Sequence, residues 1–299
     1  MTGQDRFRGC LLGLACGDAV GAAVEFRARG SFEPVTDMTG GGAFRLQPGQ
    51  WTDDTSLALC LATSLVETGG FDPADQMARY CRWMDEGYLS STGRCFDIGS
   101  TTARALRRFH RTGEPFSGPT DPRSAGNGSI MRLAPVPMFF HPDLDAAVRW
   151  SGDSSRTTHG AAECVDACRL YGAVLHAALS GADRDAALFG HPFADGGDLA
   201  PKIADIACGR WRGKTETEIR GSGYVVESLE AALWCVLNTD GFESAILRAV
   251  NLGDDADTTA AVCGQLAGAL YGERGIPAGW LDRLAMRREI SDLADRLRG

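Results

Sequence analysis

No CxxC pair occurs among the ten cysteines of this chain (10, 16, 60, 81, 95, 164, 168, 208, 235 and 263), which removes zinc-ribbon and thioredoxin-type readings. Most of them sit in apolar segments, where buried, reduced thiols are expected to behave as small hydrophobes. The N-terminal residues MTGQDRFRG contain no signal-peptide h-region, and together with reduced thiols this makes the cytoplasm the expected compartment. No apolar run reaches membrane-spanning length: the longest, Leu11 to Val24, is too short and carries Asp18. An excess of basic residues is also missing. The formal net charge of −9 argues against a broad nucleic-acid or anionic-membrane surface, while leaving room for a local basic pocket. Strand-type alternation is scarce, and neither a composition shift nor an internal repeat divides the 299 residues. An all-α protein with a single domain over 1–299 is therefore expected.

What is present repeats at helical spacing. Helices are expected over 4–25, 54–68, 73–86, 98–111, 129–139, 143–151, 160–180, 222–237, 241–250, 257–272 and 287–297, with Pro73 and Pro277 at helix starts. The first carries Gly9, Gly13, Gly17 and Gly21 at every fourth position, a stripe that lowers helix propensity yet lets a neighbouring backbone approach closely. Segments 29–50, 112–128 and 190–221 are rich in Gly, Pro and polar residues and read as loops.

Two helix mouths concentrate carboxylates. In GQWTDDTSLAL (49–59), Asp53 and Asp54 lie side by side; in NLGDDADTTAAV (251–262), Asp255 and Asp257 lie two apart. Each mouth alone reads as a capped helix N-terminus. A cap, however, uses one side chain, and successive helical residues diverge by about 100°. Two unit charges about 4 Å apart repel by about 4 kcal/mol in a partly screened site, so a convergent pair needs compensation. Oxygen-only donors with no His or Cys nearby suit hard cations such as Mg²⁺, Mn²⁺ or Ca²⁺. An EF-hand is excluded, since a loop begun at Asp254 has Thr259 where Gly belongs and Gln265 where the bidentate Glu belongs.

Asp97 stands at the mouth of the expected helix 98–111, either as a cap or as a further acidic group. Glu25, seven residues beyond Asp18, is expected on the same face of the first helix. His159 precedes a long helix, where a lone His is commonly structural. SAGNGSIMR (124–132) offers loop N–H groups and a helix N-terminus to a phosphate, with Arg132 nearby. RGKTE near Lys214 is not a P-loop, because Cys208 stands where the first Gly is required; HExxH and GxSxG are absent.

Six motifs in order, GLACGDAVGAAVEF (13–26), WTDDTSLAL (51–59), DIGSTTARAL (97–106), GNGSIMRLAP (126–135), THGAAE (158–163) and GDDADTTAAVCGQLAGALYG (253–272), span nearly the whole chain. In this series it resembles the ADP-ribosylglycohydrolases, in particular bacterial members such as those that reactivate dinitrogenase reductase. The resemblance implies an orthogonal all-α bundle around a central binuclear Mg²⁺ or Mn²⁺ site. Thr52, Asp53 and Asp54 would bind metal from one side, and Asp255, Asp257 and Thr258 from the other. The distal ribose hydroxyls would sit on the metals, with Gly126, Asn127, Gly128, Ser129 and Ile130 holding the diphosphate and His159 in the ligand pocket. The implied reaction releases ADP-ribose from modified protein side chains, most simply arginine, by attack of water positioned at the metals. Asp97 is the first choice for proton transfer, and Glu25 acts either as base or as gate. Serine-linked ADP-ribose, O-acetyl-ADP-ribose, ADP-ribosylated nucleic acid and non-catalytic ADP-ribose binding stay open as alternatives. A monomer without membrane contact is expected, with nucleic acid a partner only as modified substrate. Asp254 departs from the pattern, standing where many relatives carry a second Gly; it is expected to face solvent.

Overall fold

The computed structural model describes residues 1–299. Fourteen α-helices follow one another: α1 Gly3–Gly21, α2 Asp53–Thr68, α3 Pro73–Glu86, α4 Ser100–Thr112, α5 Pro135–Phe139, α6 Leu144–Thr158, α7 Ala162–Leu179, α8 Arg184–Phe189, α9 Pro201–Ala207, α10 Val225–Leu237, α11 Phe242–Val250, α12 Ala256–Tyr271, α13 Ala278–Arg283 and α14 Arg287–Arg298. There are no strands; the only β-type pairings are the isolated bridges Gly41–Leu46 and Gly126–Tyr224. The all-α expectation holds, and no helix is long and apolar enough to cross a membrane.

Helices α1 and α12 form the centre, buried along almost their whole lengths. They run antiparallel, and the glycine stripe explains how. A Cβ on Gly9 would overlap the carbonyl of Gly268, on Gly13 that of Gly264, on Gly17 that of Ala260, and on Gly21 the Asp257 backbone. Gly264 and Gly268 of α12 make the reciprocal approach to Gly13 and Gly9. Glycine costs about 1 kcal/mol of helix propensity relative to alanine, yet only its missing Cβ permits two backbones this close. The contact sets the C-terminal end of α1 against the N-terminal end of α12, and that end of the bundle carries the acidic groups.

Several boundaries differ from the sequence reading, for identifiable reasons. Helix α1 stops at Gly21, so Glu25 lies in the following turn and shares no helical face with Asp18. The stretch expected as helix 129–139 is helical only over α5, because residues 127–134 fold as tight turns, with Ile130 and Met131 N–H both donating to Asn127 O. Helix α6 runs on to Thr158, well past residue 151, and α9 lies inside a segment read as loop. Helices α8, α9 and α13 have only six or seven residues, too short to be stable or legible without tertiary packing. Pro73 does occupy the first turn of α3, beneath an Asp72 cap. All ten cysteines are free and eight are buried, but Cys208 is exposed and Cys95 half-buried, against the expectation of a buried set.

Candidate metal centre and active site

The first turn of α2 is capped from another helix. Asp18 of α1, fully buried, accepts hydrogen bonds from the N–H groups of Thr52 and Thr55 at 2.8 and 3.0 Å, and from the Thr55 hydroxyl at 2.6 Å. Neither Thr52 nor Asp255, the N-cap residues of α2 and α12, makes a side-chain cap, and so the capping interpretation of the two acidic mouths fails. Asp18 was not singled out for this role; a carboxylate inside an otherwise apolar run was its signal.

Freed from capping, the two mouths meet. Thr52 Oγ1 lies 3.2 Å from Asp257 Oδ2 and 3.4 Å from Asp54 Oδ2, and Thr258 Oγ1 lies 3.4 Å from the same Asp54 oxygen. Asp54 Oδ1, Asp257 Oδ1 and Glu25 Oε2 are buried with no hydrogen-bond partner at all. One carboxylate oxygen each from Glu25, Asp97 and Asp257 falls within a 4.8 Å cluster, a spacing that a cation can bridge. Asp53 is almost completely buried beside them, and Asp255 is half-buried and accepts from Asn127 Nδ2 at 2.8 Å.

No lysine or arginine lines this cleft, whose walls include Glu25, Asp53, Asp97 and Asp255. Burial, followed by mutual repulsion with Asp97, Asp54 and the other carboxylates, drives Asp53 well above the ordinary carboxylate range. Asp54 and Asp257 are raised in the same way, by burial first and then by neighbouring acids. Asp97 is pushed up to about 7 by burial and then by Asp18 and Asp255, and Glu25 to about 10 by burial and then by Asp97 and Asp255. Buried, partnerless oxygens on like-charged groups lack only positive charge. The donor set is all oxygen, which fits hard divalent cations.

Asp97 is not a helix cap. It adopts a left-handed backbone (φ 59°), and the N-cap of α4 is Gly99. Of the expected phosphate loop, Gly126, Asn127 and Gly128 line the cleft, and His159, expected in the ligand pocket, lines it too. Ser129 and Ile130 do not: the Ser129 hydroxyl accepts from Ser155 Oγ at 3.0 Å, and Ile130 is wholly buried. This loop does not lead directly into a helix, since α5 begins only at Pro135; the helix start in the cleft wall is that of α4, with Gly99, Ser100, Thr101 and Thr102. The loop nevertheless leaves the N–H groups of Gly128 and Ser129 without any partner in the chain.

Arg132 does not reach the cleft. Its fully buried guanidinium bonds the Gly128 carbonyl, Thr158 Oγ1 at 2.7 Å and Tyr80 OH at 3.2 Å, bracing the loop from behind. Gln265 of α12 braces it from below, accepting from Ala134 N–H and donating to Met131 O, both at 2.8 Å. His159 follows α6 and precedes α7; burial, then Arg132 and Arg104, hold it to about 3, so its imidazole is neutral. Its Nδ1 lies 2.9 Å from Thr158 Oγ1, and its ring lies over Gly126 and Gly128, where a Cβ on Gly128 would collide with it. Asp254 is exposed, as expected, in a left-handed turn paired with Phe26 and Arg27. Sequence reasoning missed Phe26, Gly99, Ser100, Thr101, Thr102, Met131 and Gly223, which complete the wall.

The model of the ADP-ribosylglycohydrolase family matches residues 1–299. The chain belongs to that family. Among its relatives, ADP-ribosylarginine hydrolase Tri1 of Pseudomonas putida (strain GB-1) is 49% identical over 293 residues, covering 98% of this chain and 78% of the relative. ADP-ribosyl-[dinitrogen reductase] glycohydrolase of Rhodospirillum rubrum is 36% identical over 309 residues, covering 99% of this chain and 98% of the relative. A solved structure titled ADP-ribosylglycohydrolase-related protein complex superposes with a TM-score of 0.85 at 46% identity, covering 99% of this chain and 98% of that one. This glycohydrolase thus places its two aspartate-threonine mouths at one end of its central helix pair. Its cleft, about 260 Å³, is below the roughly 300–1,000 Å³ of a pocket that swallows a drug-sized ligand.

Proposed function

We propose that the protein hydrolyses the bond joining ADP-ribose to arginine side chains of modified proteins, with two Mg²⁺ or Mn²⁺ ions as cofactors. The observation that carries the reading is the set of orphaned buried oxygens on Asp54, Asp257 and Glu25, in a chain 49% identical to a relative named for ADP-ribosylarginine hydrolysis. Thr52, Asp53 and Asp54 would hold the ions from the α2 side, and Asp255, Asp257 and Thr258 from the α12 side. Bound there, divalent ions supply positive charge that offsets the carboxylates and polarises the ribose hydroxyls.

The chain's own groups do the rest. Asn127 fixes Asp255 through its 2.8 Å hydrogen bond, and the free N–H groups of Gly128 and Ser129 offer donors to a phosphate. Neutral His159 closes the wall over Gly126 and Gly128 without bringing a cation to the carboxylates. Asp97, raised to about 7 before the cations bind, takes a proton from the attacking water and returns it to the departing guanidine. Glu25, pushed to about 10 before the cations bind, stands beside it as gate or second proton carrier. In this reading residues 1–299 work as one domain, as a monomer in a reducing cytoplasm that keeps the ten cysteines free.

Incubation with arginine-linked and serine-linked ADP-ribose tests it, with Mg²⁺, with Mn²⁺ and after EDTA. Metal-dependent release from the arginine linkage is expected. Release that survives complete chelation removes the cofactor assignment, and no release from either linkage removes the function.

A further inference from the structure

Beside the acidic cleft lies a groove of opposite sign. Its volume is about 950 Å³, it shares Ser100 and Thr101 with the cleft wall, and its lining includes Arg104, Arg107, Arg108, Arg111 and Arg123 with no hydrophobic residue. The single carboxylate in it, Asp121, is already paired with Arg123 at 2.9 Å. On α4 the four arginines recur at i, i+3, i+4 and i+7, one face of the helix, and α4 contains no acidic residue. Like charges at these spacings destabilise an isolated helix. None of the four makes an ion pair or a side-chain hydrogen bond within the chain, whereas Arg79, Arg169 and Arg283 each engage acidic partners. All four are exposed, in a protein whose net charge is −9.

The geometry points to this groove as the docking surface for an acidic stretch of the protein substrate, whose carboxylates pair with the α4 arginines while the modified side chain occupies the cleft. The substrate class rests on the proposed hydrolysis of protein-linked ADP-ribose; the anion-binding groove itself does not. Guanidinium forks match carboxylates in bidentate fashion, and an oppositely charged patch at the mouth of an acidic cleft both steers and orients a macromolecule. The arginine stripe from Arg104 to Arg111 is about 10 Å long, the length of about three extended residues. Single-stranded nucleic acid is the weaker fit, because it is held largely by aromatic stacking and the groove has no aromatic lining. The charge also reaches inward, since Arg104 is among the groups that depress His159 in the cleft.

Two measurements on the full chain test the surface. The first follows binding of a fluorescent octaglutamate peptide, a neutral glutamine-serine peptide of the same length and a twelve-residue oligothymidine, at low and high salt. Octaglutamate is expected to bind at least about tenfold more tightly than the neutral peptide, to weaken with salt, and to lose about tenfold on charge reversal in R107E/R108E/R111E. The neutralised R107Q/R108Q/R111Q variant, milder for folding, should fall between. The second follows hydrolysis: octaglutamate should inhibit release from an arginine-modified protein, while free ADP-ribosyl-arginine is cleaved at the same rate by wild type and both variants. Equal binding of acidic and neutral peptides, binding unchanged in both variants, or tighter binding of the oligothymidine overturns the proposal. Selective octaglutamate binding without any hydrolysis would instead leave the groove standing and defeat the proposed activity.

Discussion

A single oxygen of Asp18, Oδ2, accepts both the backbone N–H and the hydroxyl of Thr55, at 3.0 and 2.6 Å, so that a residue of α1 fixes the first turn of α2. The other carboxylate oxygen takes the Thr52 N–H at 2.8 Å. Asp53 and Asp54 are therefore held in position by a group that never needs to contact a ligand.

Asp18→Ala strands the two N–H donors in a buried place, at about 1–3 kcal/mol for each such group. Removal of the charge also relieves Asp54, which partly offsets that loss. A net destabilisation of about 2 kcal/mol is expected in chemical denaturation, with divalent-ion affinity in calorimetry falling at least about tenfold, as for other residues that orient ligands from behind. Unchanged affinity would mean that the turn holds itself.

Asp97→Ala should lower turnover of arginine-linked ADP-ribose by about 100-fold or more, the usual contribution of a positioned proton carrier. ADP-ribose affinity, measured by calorimetry, should move by less than about threefold. Full activity in this variant would transfer the proton work elsewhere.

Metal removal should invert the pH dependence of stability. In the cation-free protein Asp18 and Asp97 titrate at about 6 and about 7, above the roughly 3.9 of an unfolded aspartate. Between these values the folded state binds more protons than the unfolded one, so stability falls as pH rises, and Glu25, raised to about 10, carries the fall beyond pH 7. Paired acids such as Asp37, held low by Arg283, contribute in the opposite direction only below about pH 4. The EDTA-treated protein should thus be more stable at pH 5 than at pH 7.5, by about 4 kcal/mol or more at a common temperature. Saturating Mg²⁺ or Mn²⁺ should abolish or reverse that difference. A flat profile without metal would contradict the acidic convergence.

Gly17→Ala sets two effects against each other. Alanine gains about 1 kcal/mol in helix propensity, but its Cβ would run into the backbone carbonyl of Ala260, which has no rotamer to yield. Overpacking of this kind costs about 1–3 kcal/mol or more, so the variant should be less stable in denaturant titrations. A gain in stability would show that α1 and α12 can separate freely.

The parts of this molecule legible in sequence were those set by local spacing. The glycine stripe announced a close helix contact, and the two aspartate-threonine mouths announced an oxygen-donor site. Contacts distant along the chain stayed hidden: Asp18 capping α2, Arg132 turning inward to Gly128 and Thr158, and Gln265 gripping the 130–134 turn. Helical periodicity also carried Glu25 too far along α1, because nothing local forbids a helix through GAAVE; the Gly21 contact with Asp257 and the following turn end it. Short helices such as α9 owe their form to neighbours and leave little periodic trace.

The antiparallel pairing of α1 with α12 joins residues 3–21 to residues 256–271, far apart along the chain. A nascent chain lacking residues beyond about 250 would have an exposed glycine seam and only half of the donor oxygens. Competence for hydrolysis would therefore wait until residues 256–271 had emerged and folded, and fragments lacking them would be inert.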